Sequence, residues 1–267
     1  MYAFLHIPKT GGSTFKELFR TSFGPRHCDM IAPRGRLPIT RRYVGKHRWL
    51  YPFGLKSICS HELINAYREL GDMPDVRFVA LIRDPVRRSA SHYQHDYGNF
   101  AAGRTDACPP FDEWIELPEN RNRQLKFLTG EEDLVLAKKM LAEKTFFVGV
   151  TEQLRDSIEQ FSVLAPEPFN PTIPDKNVSQ DNTVKNRLLE DGNAVAKMEE
   201  ANNLDLQLYR FVVDEVLPAQ TKRFEALVAA GKTVRTVPDK RRLGRFYTNL
   251  VYRPSWKLVR LLGWNGA

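Results

Sequence analysis

A loop near the start of the chain combines one cation, two glycines and three hydroxyl groups. It reads Pro8 followed by Lys9-Thr10-Gly11-Gly12-Ser13-Thr14. Glycine permits positive φ and close backbone approach, so N–H groups in such a loop can surround an anion. Lys9 adds a mobile charge, and the hydroxyls of Thr10, Ser13 and Thr14 add donors. The pattern predicts binding of a phosphate-like anion, although a plain turn between a strand and a helix would also fit.

The order of these residues is not that of a Walker A loop. In G-x-x-x-x-G-K-[ST] the lysine follows the glycines, whereas Lys9 precedes Gly11 and Gly12. The most strand-like segment of the chain ends in Ile82-Arg83-Asp84-Pro85, where an arginine replaces the carboxylate expected of a Mg²⁺ site. The order argues against a small-molecule kinase or other P-loop phosphotransferase, which we keep as an alternative, and no metal cluster is predicted.

Arg83 and Ser91 form a second candidate anion site. Arg83 ends a strand-like segment, and ligands of α/β sheets bind at the carboxyl ends of the strands. Ser91 follows eight residues later, about two helical turns on. The planar guanidinium suits a phosphate, although an ion pair with a nearby carboxylate would explain Arg83 equally well.

Hydrophobic patterning indicates the elements that position these residues. Short apolar runs predict strands at 2–7, 55–60, 76–82 and 145–150. Helices are predicted after the first loop, with Ser13 as a cap, over 86–97, after the last strand, and within 195–230. Segments 24–54 and 165–182 are predicted to be irregular. Strands that alternate with helices favour an α/β fold with a central, mainly parallel sheet flanked by helices.

The two anion-binding elements together resemble the sulfotransferases that use 3′-phosphoadenylyl sulfate (PAPS). The similarity is to the branch containing heparan sulfate 2-O- and 6-O-sulfotransferases and chondroitin sulfotransferases. It rests on P-K-T-G-G-S-T-F from Pro8 and on R-D-P-x-x-R-x-x-S-x-Y from Arg83. Weaker similarity extends the match over residues 1–215, through the segments 111–114, 122–130, 147–152 and 176–179.

The resemblance implies a fold, a donor and residue roles. It implies a three-layer fold like that of the P-loop NTPases, with residues 1–230 as one sulfotransferase domain and 231–267 as an extension. Residues 9–14 would then hold the 5′-phosphosulfate of PAPS, and Arg83 and Ser91 would hold its 3′-phosphate. Lys9 would also stabilise the leaving phosphate. The expected acceptor is a hydroxyl, chiefly of a glycan or another small molecule.

Six histidines compete for the role of general base. Sulfuryl transfer to a hydroxyl requires loss of a proton, for which histidine suits neutral pH. His61 follows the strand at 55–60 and precedes Arg83 by 22 residues, and the family places its base similarly. His61 is therefore the predicted base and His47 the second choice. The remaining histidines are expected to be structural or on the surface: His6, His27, His92 and His95.

The charge of the chain is concentrated in two segments. The 267 residues contain 40 Lys and Arg against 32 Asp and Glu, a net charge of +8. Segment 26–48 has seven basic residues and one acid, and segment 232–260 has nine and one. The first segment is expected either to face an acidic or sugar acceptor or to be solvated. The second is expected either to pack on the domain or to contact an anionic membrane surface.

Other features limit the class of protein. With 42% hydrophobic and 27% charged residues, the composition is that of a globular protein. Cys28, Cys59 and Cys108 are odd in number and lack metal-ligand spacing, which predicts reduced thiols. No signal peptide or apolar span is evident, so we expect a cytoplasmic protein, with contact at the inner membrane as an option. The resemblance further implies a bacterial relative, because eukaryotic members of that family carry a membrane anchor and lumenal disulfides. Nucleic acid is not an expected partner, because no recognition motif accompanies the charge. A non-catalytic nucleotide-binding protein at anionic surfaces is a further alternative.

Overall fold

Parallel strands form the centre of the molecule. The structure is a computed structural model that describes residues 1–30, 39–172 and 182–261. In this part of the chain the strands are β1 (Tyr2–Leu5), β2 (His27–Asp29), β3 (Ser57–Ser60), β4 (Arg77–Ile82) and β5 (Thr145–Val150). Their order across the sheet is β2-β3-β1-β4-β5, and every neighbouring pair is parallel. The carboxyl ends of all these strands therefore meet at one edge.

Helices cover both faces of this sheet. In chain order they are α1 (Gly12–Phe23), α2 (Arg41–Trp49), α3 (Ala66–Leu70), α4 (Pro85–Ala101), α5 (Phe111–Glu116), α6 (Arg123–Thr129), α7 (Leu134–Lys139), α8 (Leu154–Leu164), α9 (Thr183–Glu190), α10 (Gly192–Ala201), α11 (Asn203–Phe211), α12 (Leu217–Ala229), α13 (Arg241–Tyr247) and α14 (Arg253–Leu261). Short π-helical turns precede β5, α12 and α14.

Strand residues point alternately into two cores. Tyr2 and Phe4 of β1 pack with Phe15 and Phe19 of α1 and with Phe161 of α8. Their neighbours along β1 point into the larger core on the opposite face. Because strands buried on both faces can be apolar throughout, the short hydrophobic runs of the sequence mark them well. The predicted α/β class with a parallel sheet flanked by helices is confirmed.

The predicted strands are confirmed with slightly shorter bounds, but the irregular segment 24–54 was predicted wrongly. This segment contains β2 and α2. The edge strand β2 has only three residues, of which two are polar, so it leaves no hydrophobic run to detect. Helix α2 buries only one narrow side, formed by Tyr43, Val44 and His47. The side chain of Thr40 caps it by accepting a hydrogen bond from the N–H of Tyr43 at 3.3 Å.

The segment from 231 to 261 lies on the domain. Its backbone joins the rest of the chain where Lys240 N–H donates to the carbonyl of Thr21 at 2.8 Å and Phe169 N–H donates to the carbonyl of Arg235 at 2.9 Å. Tyr247 and Tyr252 enter the larger core. Packing, one of the two options for this basic segment, is therefore observed. No helix in the described ranges is long and apolar enough to cross a bilayer.

Candidate active site

A cleft of about 930 Å³ opens at the carboxyl edge of the sheet. It lies where β1, β3 and β4 end, which is where α/β sheets bind ligands. Eight of the nine residues proposed from the sequence line it: Lys9, Gly11, Gly12, Ser13, Thr14, His61, Arg83 and Ser91. Residues far apart in the chain are thus brought together by the parallel order of the strands.

The loop after β1 presents uncapped N–H groups to this cleft. Helix α1 begins at Gly12, and no side chain caps its N-terminus. Ser13 lies exposed within the first turn, so its prediction as a cap is wrong. Gly11 adopts φ 75°, a conformation that disfavours any residue with a Cβ. The first N–H groups of a helix have no partner within it, and together with the helix dipole they attract an anion.

Lys9 stands beside these N–H groups in a strained conformation. Its φ of 70° is unusual for a residue other than glycine, and such outliers gather at functional sites. Burial and the nearby charge of Arg83 lower the pKa of Lys9. Among the described residues no side chain pairs with its ammonium group. Lys9 is thus a cation without an ion pair among the described side chains, and the opposing charge that acts on it is that of Asp96.

Thr10 is the one proposed residue that does not line the cleft. Its side chain is buried and donates to the carbonyl of Ile7 at 3.0 Å. Its own carbonyl accepts a hydrogen bond from the hydroxyl of Thr151 at 2.7 Å. Thr10 thus holds the shape of the loop, and its hydroxyl is engaged away from the cleft.

Arg83 is fixed through its backbone and its side chain. The amide of Gln124 bonds both to the N–H and to the carbonyl of Arg83, each at 2.9 Å. The Nη1 group of Arg83 donates to the carbonyl of Lys9 at 3.0 Å. Its Nε atom is buried without a hydrogen bond and lies 3.8 Å from a carboxylate oxygen of Glu152. Burial lowers the pKa of Arg83. An unsatisfied buried donor beside a cationic loop is a place where an anion would be stabilised.

Ser91 reaches the cleft from α4. The side chain of Asp84 caps this helix by accepting from the N–H of Arg87 at 2.8 Å. Pro85 occupies its first position, which suits the fixed φ of proline. Helix α4 therefore starts directly after Arg83, and the cap fixes its start. Both side chains line the same cleft.

His61 is held by the backbone of β1. Its Nδ1 lies 2.7 Å from the carbonyl oxygen of His6. A carbonyl can only accept, so Nδ1 carries the proton and the neutral ring keeps its lone pair on Nε2. Burial lowers the pKa of His61, the hydrogen bond to His6 opposes this, and Lys16 lowers it further. At neutral pH His61 is thus an uncharged base at the cleft.

The ring of His6 stacks on that of His61 and fills the space above the loop. The two centroids are 3.9 Å apart and the planes are inclined by 26°. A Cβ on Gly12 would lie 2.1 Å from Cδ2 of His6, so only glycine fits at this position. Burial lowers the pKa of His6 to about 3. His6 is therefore a neutral support between the loop and the candidate base.

The other histidines differ in position and in basicity. His47 is fully buried, its Nδ1 bonds to the carbonyl of Tyr43 at 2.8 Å, and it lies outside the lining of the cleft. His27 is buried at the opposite end of the sheet, next to Ser57 and Asp29. His92 and His95 do line the cleft. Burial lowers the pKa of His92 to about 2, which leaves it a very weak base.

Some residues of the site carried only a weak signal in the sequence. Gln124, which clamps Arg83, and Glu152 belong to segments noted only for similarity, at 122–130 and 147–152. Arg123 and Lys126 of α6 also line the cleft and add positive charge. Nothing in the spacing of these residues indicates that α6 lies beside β4. The segment 176–179, expected near the donor, lies outside the described residues.

The fold and the cleft together define a general class of protein. It is an α/β protein with an all-parallel sheet and a polar cleft at the carboxyl edge, containing an uncapped helix N-terminus and a neutral histidine. Within the described ranges no group of three or more His, Cys, Asp or Glu side chains could hold a metal ion. Comparison with protein-family models finds no match, and a search of the curated proteins finds no similar sequence.

Proposed function

We propose that the protein is a PAPS-dependent O-sulfotransferase with His61 as general base. The observation that carries this proposal is one cleft in which the loop 9–14, Arg83, Ser91 and His61 converge. The sequence motifs that resemble the sulfotransferases contain these residues. All of them except the side chain of Thr10 line the cleft at the carboxyl edge of the sheet. A P-loop-like fold is part of the proposal, supported by the loop between β1 and α1.

The residues suit a ligand with two separated anionic groups. The N–H groups at the start of α1 and the ammonium group of Lys9 suit the 5′ end of the nucleotide. The guanidinium of Arg83 and the hydroxyl of Ser91 suit the 3′-phosphate. The Nε of Arg83 supports this assignment, because it is buried without a hydrogen bond, although its charge is already paired with Glu152 at 3.8 Å.

The chemistry assigned to the chain is proton removal and charge stabilisation. When bound, PAPS supplies the sulfuryl group and leaves as 3′-phosphoadenosine 5′-phosphate. Nε2 of His61 accepts the proton of the acceptor hydroxyl, and the hydrogen bond to His6 keeps that nitrogen free. Lys9 stabilises the charge that develops on the leaving phosphate. Each of these residues already lines the cleft, so the proposal needs no rearrangement of the described residues.

We further propose a carbohydrate or another hydroxyl-bearing molecule as acceptor. Charged side chains of both signs line the cleft together with His61, among them Arg123, Lys126 and Glu119, which suits an acceptor with several polar groups. The basic segment 26–48 was expected to offer an acceptor surface. Its described part includes α2, which packs Tyr43 and His47 against Trp256 of α14. An acceptor surface on this segment stays a prediction.

The direct test is sulfuryl transfer from ³⁵S-labelled PAPS to a panel of glycans, glycolipids and phenols. We expect labelled product with at least one acceptor, in the presence of EDTA, and a loss of about 100-fold or more in the His61→Ala variant. The same protein incubated with ATP and Mg²⁺ tests the kinase alternative. Phosphoryl transfer that requires Mg²⁺, without sulfuryl transfer, would reject the proposal.

A further inference from the structure

The C-terminal helices have two faces of different character. Helix α13, the π-helical turn Thr248–Tyr252 and α14 follow one another without a break. A π-helical turn places residues five apart on the same side, and Tyr247 and Tyr252, which have this spacing, are both buried. The turn therefore directs both tyrosines inward.

The inward face holds these helices firmly on the domain. The hydroxyl of Tyr247 donates to the carbonyl of Leu50. The ring of Tyr51 lies 5.4 Å from that of Tyr247 and 5.5 Å from that of Tyr252. Trp256 packs edge-on against Tyr43 at 5.5 Å. The outward face is thus a fixed surface of the folded domain.

The outward face has a stripe of large apolar side chains. Leu243, Phe246, Leu250 and Leu258 are between 57% and 63% exposed. Their spacing of three, four and eight residues repeats along one side of the helical segment. Single exposed apolar residues are ordinary, but a patch of this kind marks an interaction surface.

Two exposed aromatic side chains lie at the end of α2 and in the turn that follows it. Trp49 is 71% exposed and Phe53 is 68% exposed. They flank Leu50 and Tyr51, which contact the tyrosines of the C-terminal segment. Exposed apolar side chains therefore occur on both of these packed segments.

Basic side chains are interleaved with the apolar ones. From Lys240 to Arg260 the sequence has seven Lys and Arg and no acidic residue. Arg245 and Arg253 have no carboxylate partner in the part of the chain that the structure describes. Both are exposed and border a separate cleft of about 230 Å³, whose lining also includes Glu17 and Asp29. The basic helix α2 packs next to this face, so the two basic segments of the sequence meet on one side of the protein.

We propose that this face, formed by α13, the π-helical turn, α14 and residues 49–53, docks on the surface of an anionic lipid bilayer. Exposed Trp, Phe and Leu side chains with interleaved arginines are the composition of elements that lie in the membrane interface. Lipid phosphates would contact Arg245 and Arg253, while the apolar stripe enters the boundary between head groups and acyl chains. A second copy of the chain suits this face poorly, because an isologous contact would bring like charges together.

The docking face and the candidate active site lie at opposite ends of α1. The N-terminus of α1 borders the cleft, while its C-terminal residues contact α13 through the hydrogen bond from Lys240 to Thr21. Twelve residues of α-helix span about 18 Å. The docking proposal stands or falls independently of the proposed enzyme activity.

The test is sedimentation of the full-length chain with vesicles of phosphatidylcholine alone or mixed with phosphatidylserine. We expect binding to the anionic vesicles, weakened by salt, and little binding to phosphatidylcholine. The L243S/F246S/L250S variant and the R245E/R253E variant should each lose about 10-fold or more in binding, because the first removes apolar side chains that would enter the bilayer and the second reverses two interfacial charges. Control variants with serine or charge-reversal substitutions elsewhere on the surface, V135S/V228S and R68E/R210E, should bind like the wild type.

Three results would overturn the docking proposal. The first is that the wild type does not bind anionic vesicles. The second is that the face variants bind as strongly as the wild type. The third is that the wild type forms a dimer in solution and binds no vesicles, while the L243S/F246S/L250S variant is monomeric. Circular dichroism of each variant confirms folding. All these variants should retain sulfuryl transfer to a soluble acceptor, which separates a failure of docking from a failure of the proposed function.

Discussion

The carbonyl oxygen of His6 accepts a hydrogen bond from Nδ1 of His61 at 2.7 Å, and the two imidazole rings stack 3.9 Å apart. These two residues are 55 positions apart in the chain, and they come into contact because β1 and β3 are parallel neighbours in the sheet. This contact fixes the tautomer of His61, so the basic nitrogen is Nε2. The candidate base therefore depends on the position of His6, and His6 in turn depends on the space left by Gly12.

Gly12→Ala should damage the site through His6. The new Cβ would overlap Cδ2 of His6 at 2.1 Å, so the His6 ring must move and the stack on His61 must change. We expect a loss of about 1–3 kcal/mol in the free energy of unfolding and a fall in transfer of about 100-fold. Gly45→Ala is the matched control, because no atom lies within 4 Å of a Cβ there. Equal effects of the two substitutions in transfer assays and urea denaturation would contradict this account.

His61 should titrate below the usual histidine pKa of about 6.5. Burial and the charge of Lys16 both lower the pKa of His61. Only the neutral ring accepts a proton, so transfer should rise with pH through this lowered value and level off above it. NMR titration of the His61 ring, assigned with His61→Gln, measures the pKa directly. Lys16→Gln should raise it by roughly a few tenths of a unit, whereas Lys222→Gln should leave it unchanged. A His61 pKa above 7 would contradict the prediction.

Arg83→Ala should weaken the binding of nucleotides with a 3′-phosphate selectively. Loss of a charged hydrogen-bond donor at a buried site costs about 1.5–3 kcal/mol, which corresponds to roughly 10- to 100-fold in affinity. Titration calorimetry should show this loss for 3′-phosphoadenosine 5′-phosphate and a much smaller one for adenosine 5′-phosphate. Equal losses for both ligands would remove Arg83 from the role proposed here.

The protein should lose stability as the pH falls below about 6.5. His6, His47 and His92 are buried, and burial lowers their pKa values to about 3, 4 and 2. The unfolded chain binds protons at these sites near pH 6.5 while the folded protein does not. Their contribution is therefore complete above that pH and is lost as the pH falls toward the folded values. Between these pH values each histidine lowers the free energy of unfolding by up to about 1.4 kcal/mol per pH unit. Urea denaturation at pH 7.5, 6 and 5 measures this free energy, and a constant value over the range would contradict the prediction.

Much of the sheet and the loop after β1 could be predicted from the sequence, because buried parallel strands are short apolar runs. Edge strand β2 could not, since His27 and Asp29 alternate with one cysteine. The contacts that complete the site could not be predicted from the sequence either. The clamp of Gln124 on Arg83 and the stack of His6 on His61 depend on which strands and helices become neighbours. Local spacing carries no information on such pairing. The meeting of the two basic segments on one side of the protein could not be foreseen for the same reason.

The central claim is that the cleft binds a 3′-phosphoadenosine nucleotide without a metal ion, with His61 free to act as base. Titration calorimetry with 3′-phosphoadenosine 5′-phosphate in the presence of EDTA tests it most directly. The account predicts saturable binding that His61→Ala retains and Arg83→Ala loses by roughly 10-fold or more. Absence of binding, or binding that requires Mg²⁺ and does not distinguish this nucleotide from ADP, would contradict it.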